Sequence, residues 1–193
     1  MKVMTQRLGQ AISRRQKRYI VDASRVKSAV LLPIYYKQGQ YYILFTERTE
    51  TVQNHKGQIS FPGGVYQDED KTLVNTALRE CAEEIGLMAD KVEVLGELDD
   101  IATLTSGYII SPFVALIPWP YQFKVDREEV EEIIEVPISV LVNRDCWHEE
   151  TEIIDGETVT SHFYHYQGEV IWGATARILN QFLDIFAQVM RDK

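Results

Sequence analysis

The chain holds no apolar run near the roughly 20 residues that a membrane-spanning helix needs. Its first residues also lack the apolar stretch and small-residue cleavage site of a secretory signal. A soluble, cytoplasmic protein with no membrane partner is expected. Only two cysteines occur in 193 residues, Cys81 and Cys146, far apart and without CxxC or Cys/His spacing, which argues against a disulfide framework or a structural zinc site. Both read as buried thiols. Low-complexity tracts, internal repeats and Ser/Pro linkers are absent, so one domain over 1–193 is expected, with 1–25 as a basic N-terminal arm or helix. Excess positive charge is missing as well: the net charge of −9 argues against nucleic-acid binding as the function.

That charge is unevenly placed. Residues 1–20 carry Lys2, Arg7, Arg14, Arg15, Lys17 and Arg18 and no acid, while 126–135 runs Asp126, Glu128, Glu129, Glu131, Glu132, Glu135 with Arg127 alone opposing. The basic arm can meet a remote phosphate of a substrate, an acidic neighbour or water, and water is the expected partner.

Ser28–Tyr36 and Tyr41–Thr46 are β-rich and flank Gln38-Gly39-Gln40, which predicts a hairpin. Residues 47–64 are polar, end in Pro62-Gly63-Gly64 and read as a loop. From Thr72 to Leu87 the pattern turns helical: Leu73, Ala77, Cys81 and Ile85 recur every fourth residue, Val74 and Leu78 widen the stripe, and Gly86 suits a C-cap. Short apolar runs at 92–98, 108–117 and 133–142, broken by Pro112, Pro118, Pro120 and Pro137, read as strands and irregular connections. Asp155-Gly156 and Gln167-Gly168 suit tight turns. Ile178, Phe182, Ile185, Phe186 and Val189 predict a C-terminal helix over 174–190 that packs on a sheet. Tyr164 and Trp172 are expected in the core.

The chemistry concentrates in Arg79-Glu80-Cys81-Ala82-Glu83-Glu84-Ile85-Gly86-Leu87. Four helical residues advance about 400° and about 6 Å, so Glu80 and Glu84 stack on one face, Glu83 lies beside Glu80, and Arg79 reaches Glu83. Three crowded carboxylates repel one another unless a cation or strong donors neutralise them, and hard oxygen ligands suit Mg²⁺ or Mn²⁺. The alternative is a solvated acidic face. Gly63 and Gly64 just upstream let the backbone approach the helix, so a carbonyl can join a metal shell and amides can approach phosphate.

These residues resemble the Nudix box, G-x5-E-x7-R-E-U-x-E-E-x-G-U with U aliphatic. Here Asp70 stands for the first Glu and one extra residue precedes Arg79; Asp68, Glu69 or Asp70 can supply the acid that braces Arg79. The extra residue is similar to the spacing of the coenzyme A diphosphatase branch. So are Phe45-Thr46-Glu47-Arg48, His55 and Gln58-Ile59-Ser60-Phe61-Pro62-Gly63-Gly64, which resemble that branch's F-T-x-R…H-x2-[EQ]-[IV]-S-F-P-G-G, with Thr49 in place of a Ser or Ala and Gln53 in place of a basic residue. The resemblance runs over about 28–180.

It implies an α/β fold of mixed α+β character, a mixed β-sheet sandwiched between helices with a loop-helix-loop box. It also implies a divalent cation held by Glu80, Glu84, Glu83 directly or through water, and the Gly63 carbonyl. Catalytic candidates are Glu80, Glu83 and a downstream carboxylate among Glu128, Glu129, Glu131 and Glu132, with Glu129 preferred because it opens the next apolar run. Arg48, His55 and Gly64 are the substrate-binding candidates, Arg48 toward the extra phosphate of coenzyme A. The implied reaction is hydrolysis of the diphosphate of coenzyme A or a derivative. Alternatives are another nucleoside diphosphate derivative, such as ADP-ribose or a dinucleotide, or a Nudix-fold ligand-binding module without turnover. Oligomeric state is left open.

Overall fold

A computed structural model describes residues 2–49, 57–143, 145–154 and 157–191. Helix α1 (Lys2–Ser13) leads through an extended stretch into strands β1 (Val26–Lys37) and β2 (Gln40–Arg48), the expected hairpin, in register Ile34↔Ile43 to Lys37↔Gln40. Short strands β3 (Ile59–Ser60) and β4 (Gly63–Val65) follow, then helix α2 (Leu73–Ile85) and strands β5 (Glu93–Glu97), β6 (Ile101–Ala102), β7 (Tyr108–Leu116) and β8 (Val130–Pro137). Helix α3 (Ile138–Asn143), strands β9 (Trp147–Ile154), β10 (Glu157–Tyr166) and β11 (Glu169–Ile171), and helix α4 (Gly173–Arg191) complete the order.

The larger sheet runs β3-β2-β1-β7-β5, with β4 added to β1, β6 to β7 and β8 to β2. It is mixed because β1 and β7 pair in parallel from Val26↔Tyr108 to Ile34↔Leu116, whereas its other pairs are antiparallel. Strand β1 is buried on both faces, which explains its nearly unbroken apolar sequence. Leu32 and Ile34 join Leu8 and Ile12 of α1 and Ile178, Phe182 and Phe186 of α4 in one core; Ala29, Leu31 and Tyr35 join Ala77, Cys81 and Ile85 of α2 in the other. Helices therefore cover both faces of a mixed sheet. A second sheet, β11-β10-β9, packs against α4 through β10.

Several expectations are corrected. Residues 47–64 are not all loop: β2 continues through Arg48, and Ile59–Ser60 and Gly63–Val65 add to it and to β1, so their polar look reflects a sheet edge. Pro112 does not break a strand. Its carbonyl accepts from the Leu98 amide at 2.9 Å, and it lies between the stretches of β7 that pair with β5 and with β6, where no ladder donor is required. Tyr164 is buried as expected, but Trp172 is 46% exposed at the start of α4. The Asp155-Gly156 turn lies outside the described residues; the Gln167-Gly168 turn is present, with positive φ at both residues.

Nor is the basic arm simply hydrated. Arg15 pairs with Asp99, and the Lys17 ammonium, only 8% exposed, lies 2.8 Å from Glu97 and 3.0 Å from Asp100. Burial pulls that ammonium down, and the two carboxylates more than offset it, leaving its pKa above the ordinary lysine value. Removing one partner of a buried pair strands the other charge. Lys17→Met is expected to destabilise the fold by about 3 kcal/mol, read from urea unfolding at constant m value.

Candidate functional site

Local sequence sets α2 in place at both ends. The Thr72 side chain accepts from the Asn75 amide at 3.3 Å, and Gly86, at φ 69°, closes the C-terminus while its amide and that of Leu87 donate to the Ala82 and Cys81 carbonyls. With Ala77, Cys81 and Ile85 turned into the core, Glu80 and Glu84 face the glycine strand β4. Arg79 joins the helix to the turn before it. Its Nε donates to Asp70 Oδ1 at 2.8 Å and its Nη2 to Asp70 Oδ2 at 3.2 Å and the Val65 carbonyl at 3.1 Å, while Nη1 reaches Glu83 Oε2 and Glu80 Oε1, each at 2.8 Å.

Asp70 is therefore the acid that braces Arg79. It is buried and also accepts from the Gln67 amide and the Thr76 hydroxyl. The Arg79 guanidinium, helped by these two donors, holds its carboxyl well below the usual range despite burial. Between Asp70 and Thr72 the chain turns through Lys71 at φ 64°, which keeps Asp70 within reach across the longer spacing.

The glycines shape the space opposite. A Cβ on Gly64 would fall 2.5 Å from the Glu80 carboxylate, and one on Gly63 would fall 2.3 Å from the Ala29 carbonyl oxygen of β1. Side chains are excluded at both positions, one by the acid and the other by the sheet.

Glu84 is 4% exposed, and its Oε2 has no hydrogen-bond partner. Burial pushes its pKa up to about 8; the Arg48 charge opposes the shift, Glu80 and Glu129 add to it, and the Gly63 backbone opposes it. Burial likewise raises Glu80, against the pull of Arg79 and with the push of Glu83 and Glu129. The structure thus brings Glu80, Glu84 and Glu129 into one field, with the Arg48 charge acting on Glu84.

Glu129 arrives by a route the sequence does not display. The Lys124 and Asp126 amides donate to the Ile85 and Glu84 carbonyls at 2.9 and 2.8 Å, and the Thr49 amide donates to the Glu129 carbonyl at 3.0 Å, so the turn before β8 is tied to both α2 and the end of β2. Thr49, buried, adds a hydroxyl bond to the Glu128 carbonyl. Its signal in the sequence was its departure from the branch signature.

Arg48 ends β2 instead of lying on a loop, at a register irregularity that sets Glu47 opposite Glu132 and Arg48 opposite Val130, and its charge acts on Glu84. Glu83 is largely exposed and turned to Arg79. Glu128, Glu131 and Glu132 are exposed, and none is among the main influences on Glu80 or Glu84. His55 lies outside the described residues.

Among the described residues no group of three His, Cys, Asp or Glu side chains is drawn together as a bound ion would hold them, and the Glu80 carboxylate rests on Arg79. The donor set still fits a hard divalent cation: a buried carboxylate oxygen without a partner beside further carboxylates lacks positive charge in the form such an ion supplies.

The family model described as NUDIX domain matches residues 25–165. The chain belongs to the Nudix family. A relative from Photorhabdus laumondii, named "Uncharacterized Nudix hydrolase NudL", is 39% identical over 154 residues, which cover 80% of this chain and 81% of that protein. One of the same name from Yersinia pestis is 34% identical over 158 residues, covering 82% and 78%. Among solved structures, a Caenorhabditis elegans Ap4A hydrolase binary complex superposes with TM-score 0.58 at 12% identity, covering 87% of this chain and 99% of that one. The NUDIX domain of Shewanella oneidensis NrtR complexed with ADP ribose gives 0.51 at 18%, covering 63% and 79%. These last two share the Nudix fold. Nudix hydrolases generally use divalent metal ions.

Two outcomes are expected for this Nudix site. Gly64→Ala displaces the Glu80 carboxylate, so half-maximal activation by a divalent cation shifts to higher concentration while circular dichroism stays that of the parent. Asp70→Asn costs about 2 kcal/mol at pH 7. Because the folded-state pKa of Asp70 is depressed, its contribution is present above the unfolded value near ~4 and is lost as pH falls below it, so parent and variant unfolding curves converge in acid.

Proposed function

We infer that this Nudix protein hydrolyses the diphosphate linkage of coenzyme A or a close derivative, giving 3′,5′-ADP and 4′-phosphopantetheine. Mg²⁺ or Mn²⁺ would be held by Glu80, Glu84, the Gly63 carbonyl and, directly or through water, Glu83. The observation that carries the metal-dependent reading is the buried Glu84 carboxylate with its unpartnered oxygen beside Glu80. Support for the substrate comes from the sequence signature, whose two halves form one unit: Thr46 pairs with Ser60 across β2 and β3, and Phe45 stacks on Phe61 with ring centroids 4.8 Å apart.

When bound, the cation supplies charge neutralisation on the diphosphate oxygens and lowers the pKa of a water molecule. The chain's own residues do the rest. Arg79 holds Glu80 at its station and is itself fixed by Asp70. Gly64 keeps the space before Glu80 free of side chains. Water attacks one phosphorus, the bond to the bridging oxygen breaks, and Glu129, exposed and within electrostatic reach of both helix carboxylates, takes the proton from the water. The Arg48 charge acts on Glu84, which supports a contact with the diphosphate end of the substrate over one with the remote phosphate.

The test incubates the protein with Mg²⁺ and coenzyme A, 3′-dephospho-coenzyme A, ADP-ribose or Ap4A, with products identified by mass. Coenzyme A is expected to give the highest kcat/KM, and Glu80→Gln and Glu84→Gln each lower kcat at least ~100-fold, about 2.7 kcal/mol of barrier. Arg48→Ala lowers kcat/KM by about 10- to 150-fold on coenzyme A and its dephospho form alike, since both carry the diphosphate. Faster cleavage of ADP-ribose replaces the coenzyme A reading with another nucleoside diphosphate derivative. Binding of any of these compounds without turnover replaces it with a ligand-binding module.

A further inference from the structure

The small sheet carries a cluster that the carboxylate site does not use. On β9 and β10, His148 stands opposite Phe163, and His165 is two residues further along β10, so the two imidazoles are diagonal neighbours on one face of the hairpin. His148 Nδ1 and His165 Nε2 are 3.3 Å apart, with ring centroids 5.0 Å apart and planes within 18°. At that separation one imidazole N–H donates to the other ring's lone pair, the roles being set by the tautomer, so a cation that displaces this proton would find two ring nitrogens side by side.

That geometry matches the span of a metal ion. Two nitrogens at about 2.0–2.1 Å from one ion at a tetrahedral angle are about 3.3 Å apart. The ring of His148 is also oriented in advance: Phe163 covers one face at 4.9 Å and 8°, and Glu150 Oε1 stands 3.4 Å from Nε2, the nitrogen that points away from His165. A carboxylate on the distal nitrogen keeps the proton there and leaves the lone pair on Nδ1. The site is accessible, His148 being 44% exposed.

We propose that His148 and His165 form a two-imidazole site for a late first-row divalent cation, Zn²⁺, Ni²⁺ or Cu²⁺, that clips β9 to β10. Imidazole nitrogens select this group of ions over Mg²⁺. No third His, Cys, Asp or Glu among the described residues joins the pair, and the nearby Cys146 thiol is turned to the Val140 carbonyl at 3.6 Å, so water completes the coordination and the ion exchanges readily. The inference stands apart from the reading of the carboxylate site.

The test uses the whole chain freed of metal and kept in excess Mg²⁺, titrated with Zn²⁺ while imidazole ring signals are followed by NMR. The His148 and His165 signals are expected to move together and saturate at the same added Zn²⁺, while His162, whose ring stacks on Trp147, stays in place. Equilibrium dialysis is expected to find one fewer Zn²⁺ per chain in the His148→Gln/His165→Gln double variant than in the parent, and about tenfold weaker binding at this site in Glu150→Gln. Unmoved His148 and His165 signals, equal movement of His162, or equal Zn²⁺ stoichiometry in parent and double variant overturns the proposal.

Discussion

The contact between Arg79 and Asp70 sets the terms for the rest of the site. One guanidinium spans the turn before α2, the last residue of β4 and two carboxylates of the helix, so the acids are held at a fixed distance from the glycine strand. Such a fork works only when its own anchor cannot move. Asp70 meets that condition because it is buried, takes two further donors and is stabilised in its charged form. The acids opposite the glycine strand are thereby held by a guanidinium that is itself anchored elsewhere.

Around this anchor the site is built as a deliberate shortage of cations. Glu84 is removed from solvent next to two other acids, with Arg48 as a counter-charge on the neighbouring strand. An arrangement of this kind is unfavourable by itself and would become favourable with a positively charged ligand.

Much of this was legible in the sequence where the determinants are local. Fourfold apolar spacing placed α2, and Thr72 and Gly86 bounded it; the residues of the box identified the family before any coordinates. The hairpin of β1 and β2 and the helix α4 were equally local in origin. What escaped the reading depends on partners distant in the chain. Strands β3 and β4 are too short to carry a periodic pattern and exist because β2 and β1 are beside them. Pro112 is compatible with a strand only where two short neighbours leave a gap. Lys17 looked like one of six solvated cations until β5 supplied Glu97 and the segment after it supplied Asp100. Glu129 was picked out by its place before an apolar run, yet what brings it to the helix is a set of main-chain bonds from the 124–130 turn.

The parallel pairing of β1 with β7 has its own consequence for how the site comes into being. Residues Val26 and Tyr108 are neighbours in space across more than 80 positions of chain, and β4, which carries Gly63 and Gly64, pairs with that same β1. Closing so large a loop is entropically costly before any contact rewards it, and a high proportion of such non-local pairing slows folding. The three residues of β1 that hold β4, Ser28–Val30, are held on their other edge by Ile110–Pro112 of β7, so the strand that carries Gly63 and Gly64 gains its full support only when that long loop has closed.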